Sequence, residues 1–178
     1  MVLITHKLPT VVAAFIVLIF SMPAASAQSH GTGCSLNQIA GTSRQILRCQ
    51  KGLTITIETG ARFTLVDRDK DGNADQARLR RKALLFETPK GKAGTGFQVI
   101  TPQAIAAVRG TKWAVDVQKN KTSVFVVRGR VAVRSPAART SVFLGPGEGV
   151  DVEEGVNSLT VKRWPAKRVS ALLARFGQ

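Results

Sequence analysis

The chain has 178 residues, with 26 Lys and Arg against 11 Asp and Glu, for a formal net charge of +15. A single domain of this length can bury a full core, and such a charge favours anionic partners. There is no tyrosine, and the only histidines, His6 and His30, fall within the first 30 residues. Ser/His/Asp or Cys/His machinery therefore cannot be assembled in the body of the chain, and neither can a His-ligated zinc site. Glu58, Glu87, Asp116 and Glu148 are scattered, with no spacing that proposes a pair of catalytic carboxylates. The sequence is read as non-enzymatic.

Lys7 precedes an apolar run from Val11 to Phe20, which Pro23 ends; Ala25-Ser26-Ala27 then gives a small-x-small cleavage pattern. The run is shorter than the roughly 20 residues that cross a bilayer. Residues 1–27 are expected to be a cleaved export signal, leaving a periplasmic chain with no transmembrane span. Cys34 and Cys49 are the only cysteines. In an exported chain such a pair predicts a disulfide, which would stabilise the fold by roughly 3 kcal/mol by restricting the unfolded state. Residues 28–52 then form a disulfide-bridged N-terminal segment, opening with a flexible lead over 28–33. The residues before Cys34, His30-Gly31-Thr32-Gly33, lack the apolar position that lipidation needs.

From Leu53 the pattern turns to strands. Leu53, Ile55 and Ile57 alternate with Thr54, Thr56 and Glu58, as in a half-buried strand. A second strand is expected at 62–66 and, after the turn at Asp71-Gly72, a third at 77–86. Shorter strands are expected at 98–100, 105–108, 113–117, 122–128, 130–134, 141–144, 149–152 and 158–162. Turn residues separate them at Lys119-Asn120, Arg128-Gly129, Ser135-Pro136 and Gly145-Pro146-Gly147-Glu148. The expected fold over 53–163 is all-β: a compact roll or sandwich, or a short β-helix, of many short strands. In residues 164–178 the period changes. Val169, Leu172, Leu173 and Phe176 share one helical face, with Pro165 in the first turn and Lys167, Arg168 and Arg175 opposite. This predicts a C-terminal capping helix; the other reading is a helix lying on a membrane surface, for which four apolar residues offer a small buried area.

Asp67, Asp69, Asp71 and Asp75, with Gly72, spell D-x-D-x-D-G-x-x-D. Oxygen ligands at alternate positions around a glycine suit a calcium loop. The twelfth position is Arg78 instead of a bidentate glutamate, and strands flank the loop where an EF-hand has helices. The other reading is a solvated, Asx-rich hairpin turn balanced by Arg78, Arg80 and Arg81. Under the calcium reading, Ca²⁺ raises the melting temperature and Asp69→Ala with Asp71→Ala abolishes the rise; under the other, a thermal scan ignores the ion. No other cofactor is implied.

Basic residues cluster at Arg78, Arg80, Arg81 and Lys82, and again at Lys162, Arg163, Lys167 and Arg168. Export and the lack of interleaved aromatics argue against nucleic acid. Anionic partners in the envelope fit better: phospholipid headgroups, lipopolysaccharide or an acidic protein. Alternatively, these clusters are solvated faces that protect sheet edges.

The segment Phe97-Gln98-Val99-Ile100-Thr101-Pro102, continuing to Arg109-Gly110-Thr111, resembles the core signature of the FecR domain family. Further blocks follow in the family's order: Trp113 to Val117, Thr122 to Val127 with Gly129, and Leu144-Gly145-Pro146-Gly147-Glu148. The resemblance implies an all-β FecR fold. It singles out Thr101, Pro102, Arg109, Gly110, Thr111, Gly129, Gly147 and Glu148 as motif residues. Gly110, Gly129 and Gly147 are expected where strands turn, and the Thr111 hydroxyl is expected to bond nearby backbone. Arg109 either locks a turn through carbonyls or faces a ligand. In the family's namesakes this domain belongs to the periplasmic part of an anti-sigma factor that receives a signal from a TonB-dependent transporter. Against that pattern, this protein is expected to lack the sigma-binding segment and an internal span. The expected function is therefore binding of an envelope protein or anionic polymer. The alternative is modulation in trans of a sigma-factor and transporter system.

Overall fold

The structure is a computed structural model that describes residues 32–42, 44–88, 96–136, 138, 141–156 and 158–178. The expected export signal and His30 lie outside the described residues. The strands are β1 (Cys34–Gln38), β2 (Gln45–Cys49), β3 (Thr54–Ile57), β4 (Arg62–Val66), β5 (Gln76–Glu87) and β6 (Phe97–Ile100). They continue with β7 (Ile105–Val117), β8 (Lys121–Arg134), β9 (Val142–Leu144), β10 (Glu148–Glu153) and β11 (Lys162–Arg163), before one helix, α1 (Ala166–Ala174). All the strands join one sheet, in the order β1-β2-β3-β5-β6-β7-β8-β10-β11. β4 pairs with β5, β9 with β8, and β5 also with β7. Among the described residues, only the β5–β6 pairing is parallel.

Three long strands let this sheet close over a core. In β5, Ala77 and Leu79 are buried in the main cluster, and further along Leu84 and Phe86 are. The inward positions change from odd to even. A strand side chain alternates faces at every residue, so the change requires one extra residue, a bulge. Lys82, at φ 67°, sits at that point. β7 and β8 do the same. Ala106 and Val108 give way to Trp113 and Val115, and Val124 and Val126 give way to Val131 and Val133. The β7–β8 register shifts between Arg109 and Lys112, and nearby Gly129 stands at φ 93°. Each long strand therefore bends and serves both halves of the sheet.

The main cluster lies inside this roll, where Phe86 stacks on Trp113 at 4.9 Å between centroids and tilts against Phe97 at 5.5 Å. A second cluster lies on the opposite face of β5, β7 and β8, where Ala83, Leu85, Ala114 and Phe125 pack beneath Trp164, Leu172 and Phe176. Gly149 makes that contact possible. A Cβ built there would come within 2.4 Å of the Trp164 ring. The all-β fold with a capping C-terminal helix is as the sequence implied.

Several details differ from the sequence reading. β1 and β2 were not expected: β1 is mostly exposed and polar, and in β2 the apolar residues Ile46 and Leu47 stand side by side, so neither shows a clean alternation. β7 and β8 run unbroken through Gly110 and Gly129, which sit at a bulge instead of at turns between strands. The strand expected at 158–162 shrinks to Lys162–Arg163, because Leu159 and Val161 pack on the core without a ladder partner.

Cys34 stands directly opposite Cys49 across the β1–β2 pair and is bonded to it. β2 pairs in turn with β3, so the crosslink ties the first hairpin to the main sheet. Alkylation of the purified protein without reduction should label neither thiol; labelling of both would contradict the bridge. Cys34→Ser with Cys49→Ser should cost roughly 3 kcal/mol by freeing the unfolded chain.

Candidate functional site

The structure spreads the motif residues along the spine of the sheet, and each one described fixes backbone. Thr101 is buried, and its hydroxyl lies 2.8 Å from the amide and 3.0 Å from the carbonyl of Ala104, closing the tight turn between β6 and β7. Pro102 occupies the exposed corner of that turn. The Thr122 hydroxyl reaches Thr101 at 2.9 Å and Gln103 Oε1 at 2.8 Å, so this polar end of the core is satisfied. Glu148 accepts the Gly145 amide at 2.7 Å, bracing the turn that Gly147 completes at φ 80°.

Thr111 corrects the sequence reading. Its hydroxyl is buried with no hydrogen-bond partner among the described residues. Its backbone pairs with Thr88 instead: the Thr111 amide donates to Thr88 Oγ1 at 2.7 Å and its carbonyl accepts the Thr88 amide at 2.9 Å. Its methyl fills the space where Gly129 has no side chain. Arg109 pairs with Arg130 in the β7–β8 ladder; its side chain lies outside the described residues.

The acidic loop joins β4 to β5. Asp67, Asp69 and Asp71 each bring one carboxylate oxygen within 4.8 Å of the others. Asp75 is drawn away, accepting the Arg68 amide at 3.2 Å and the Arg68 Nε at 3.3 Å. Lys51 Nζ donates to Asp71 Oδ2 at 2.6 Å. That bond, with those from Asn73, holds the Asp71 carboxyl down at about 2. Asp67 Oδ2 accepts the Gly72 amide at 2.8 Å, and Asp71 Oδ1 accepts the Asn73 amide at 2.8 Å. The second is an Asx turn, and the first closes the loop across five residues. Of the four aspartates proposed to share an ion, three converge and the fourth serves an arginine.

A cluster the sequence did not suggest lies beneath α1. Arg175 grips Asp116 through both oxygens, at 2.7 and 2.9 Å, and Glu58 through both of its own, at 3.1 and 2.5 Å. Burial pushes the Asp116 carboxyl up, but the Arg175 contact outweighs it and holds the group below its ordinary value. The same bonds raise Arg175, Asp116 contributing most. At the other end of the helix, Arg168 pairs with Asp151 at 2.5 Å and lies over the Trp164 ring at 3.5 Å from its centroid. Burial likewise pushes Asp151 up, and the Arg168 and Ser123 bonds prevail, leaving it lowered. Arg168 and Arg175 therefore face the sheet, not the solvent side the helical pattern assigned them; Lys167 stays exposed. Partners 59 and 117 residues apart leave no local signal in the sequence.

The described cavities are shallow and lie at loops. One of about 550 Å³ is lined by Asn120, Lys121, Glu153 and Glu154, and one of about 210 Å³ is bounded in part by Pro102, Gln103 and Ser135. Among the described residues, no helix is long and apolar enough to cross a membrane.

Two crystal structures of a protein from Parabacteroides distasonis ATCC 8503, proposed to be an anti-sigma factor, share this fold. Both align with a TM-score of 0.59 at 20% sequence identity, covering 78% and 79% of this chain and 64% of the other. The chain thus spans less than two thirds of that protein's length. No curated protein matches the sequence. The profile of the family described as FecR protein matches residues 37–132, from β1 into β8, more than half of the sequence. The chain belongs to the FecR protein family.

Proposed function

We propose that the protein is a non-catalytic signalling component of the bacterial envelope that works by binding another component there. The observation that carries this reading is the family match over residues 37–132. Two further points support it. The fold is shared with a protein proposed to be an anti-sigma factor, and every described motif residue closes a turn or shapes a strand, so the fold as a whole is what the motif maintains. Export through a cleaved signal at residues 1–27 places the protein in the periplasm, where the Cys34–Cys49 bridge persists. It would then act in trans on a sigma-factor and transporter system, or engage an envelope protein or anionic polymer directly.

Cross-linking in intact cells of the native host, followed by mass spectrometry, tests the binding step. Cross-links from the sheet to an envelope component, a regulatory membrane protein included, are the expected result. Cross-links confined to the chain itself would contradict it.

A further inference from the structure

From the outward face of the half-sheet β4-β5-β6-β7-β8-β9, we infer that the protein docks on anionic phospholipid headgroups. The inward residues of these strands fill the main core, which fixes what the other face presents. Phe63, Leu79, Val131 and Val133 point in, so Arg62, Arg78, Arg80, Arg130 and Arg134 point out. All but Arg134 are exposed. Among the described residues none of the five pairs with a carboxylate. Arg134 instead reaches three main-chain carbonyls at 3.4 Å.

The acids that form ion pairs do so with other partners, while Asp69 and Asp67, on the loop between β4 and β5, accept the amides of Asp71 and Gly72. Asp71 and Asp75 are held by Lys51 and Arg68, Glu87 by Lys112 and Arg128, and Asp116 and Asp151 lie under α1.

Apolar side chains share the face and decide its occupant. Arg78, Ile100, Ile105 and Arg134 form one row across the ladder, so two half-buried isoleucines lie between arginines. Phe143, on the edge strand β9, is 60% exposed, with the Arg130 guanidinium 5.8 Å from its ring centroid. A soluble polyanion would match the arginines and leave these apolar groups in water. A bilayer surface matches both: phosphates meet the guanidiniums, and Phe143 and the isoleucines enter the boundary of the acyl chains. Headgroups also diffuse laterally to wherever an arginine stands, so a broad face needs no fixed register.

The inference rests on the envelope location proposed above. Its readout is separate from cross-linking or transcription, so either can fail alone. The full chain, recovered from the envelope of an expressing bacterium, is sedimented with phosphatidylglycerol–phosphatidylcholine vesicles and with phosphatidylcholine vesicles. Salt-reversible binding to the first set alone is expected. A basic residue near an anionic surface contributes about fivefold in partition, so Arg78→Gln with Arg80→Gln and Arg130→Gln should lower it by about 100-fold. The control, Lys119→Gln with Lys162→Gln and Lys167→Gln, removes the same charge from exposed positions off this face and should change partition by under about threefold. Phe143→Ala should weaken binding at every salt concentration. Equal loss in the two triple variants would reduce the effect to net charge and overturn the docking face. Wild-type protein that ignores anionic vesicles but binds soluble polyglutamate would overturn it in favour of an acidic polymer.

Discussion

Valine at position 129 should destabilise the protein by about 4 kcal/mol, the sum of backbone strain and overpacking. Gly129 holds φ at 93°, where a β-branched residue is a steric outlier. A Cβ there would lie 2.5 Å from Thr111 Cγ2 and 3.1 Å from the Gly110 carbonyl oxygen. Thr111 is fully buried, and its backbone is tied to Thr88, so it cannot withdraw. The melting temperature should fall by on the order of 10 °C. Gly60 separates strain from clash. It too has a positive φ, 79°, but a Cβ there meets nothing within 4 Å. Gly60→Ala should therefore cost about 1 kcal/mol, and Gly129→Ala clearly more. Equal costs for the two alanines would show that the fit between Gly129 and Thr111 is not what the bulge depends on.

The second large effect is expected at Arg175. Arg175→Ala leaves Asp116, only 5% exposed, with the Gln118 side-chain amide at 3.2 Å and no cation bonded to it, and leaves Glu58 with the Ala83 amide and, at 3.8 Å, Lys82. Removing one partner of a buried ion pair costs about 3 kcal/mol or more, because the other charge stays desolvated. Arg175→Lys should recover little, since an ammonium cannot hold two carboxylates through paired bonds. Arg175→Met combined with Asp116→Asn and Glu58→Gln should recover most of the loss. Acid should act on the same contacts. Asp116 and Asp151 titrate below their ordinary value in the folded protein. Their contribution is therefore complete above the unfolded value of about 4 and is lost as pH falls through the lowered folded values. Quenching of Trp164 fluorescence should follow that loss, as the ring lies between Phe125 and Arg168. An acid transition unchanged in the Arg175 variant would separate the pairs from helix docking.

The parts legible in the sequence are those with a local period. β3 announced itself through Leu53, Ile55 and Ile57, and α1 through Val169, Leu172 and Phe176, because burial alone set those patterns. β1 stayed hidden because most of its side chains face water, and β2 because its partly buried Ile46, Leu47 and Cys49 do not alternate with polar residues. The bulge was half visible. Gly110 and Gly129 were marked as special, but a glycine that re-aims a continuous strand reads like one that ends it, and only the register of the partner strand distinguishes them. The clamps at Arg168 and Arg175 could not be read at all. Helical periodicity assigns an arginine to solvent, and the carboxylates that reverse this lie far off in sequence on three different segments.

The docking face was visible only as charge. Arg78 and Arg80 belong to a basic run in sequence, yet Arg130, Arg134 and Phe143 join them only because β8 and β9 continue the same half-sheet.

The signalling role is tested most directly by transcription in the native host. Deleting the gene should change the output of one alternative sigma factor's promoters. Wild-type protein supplied in trans should restore that output, and Gly129→Val at the same export level should not. Promoter activities indistinguishable between the deletion and the wild type, under conditions that induce the system, would contradict the proposed role.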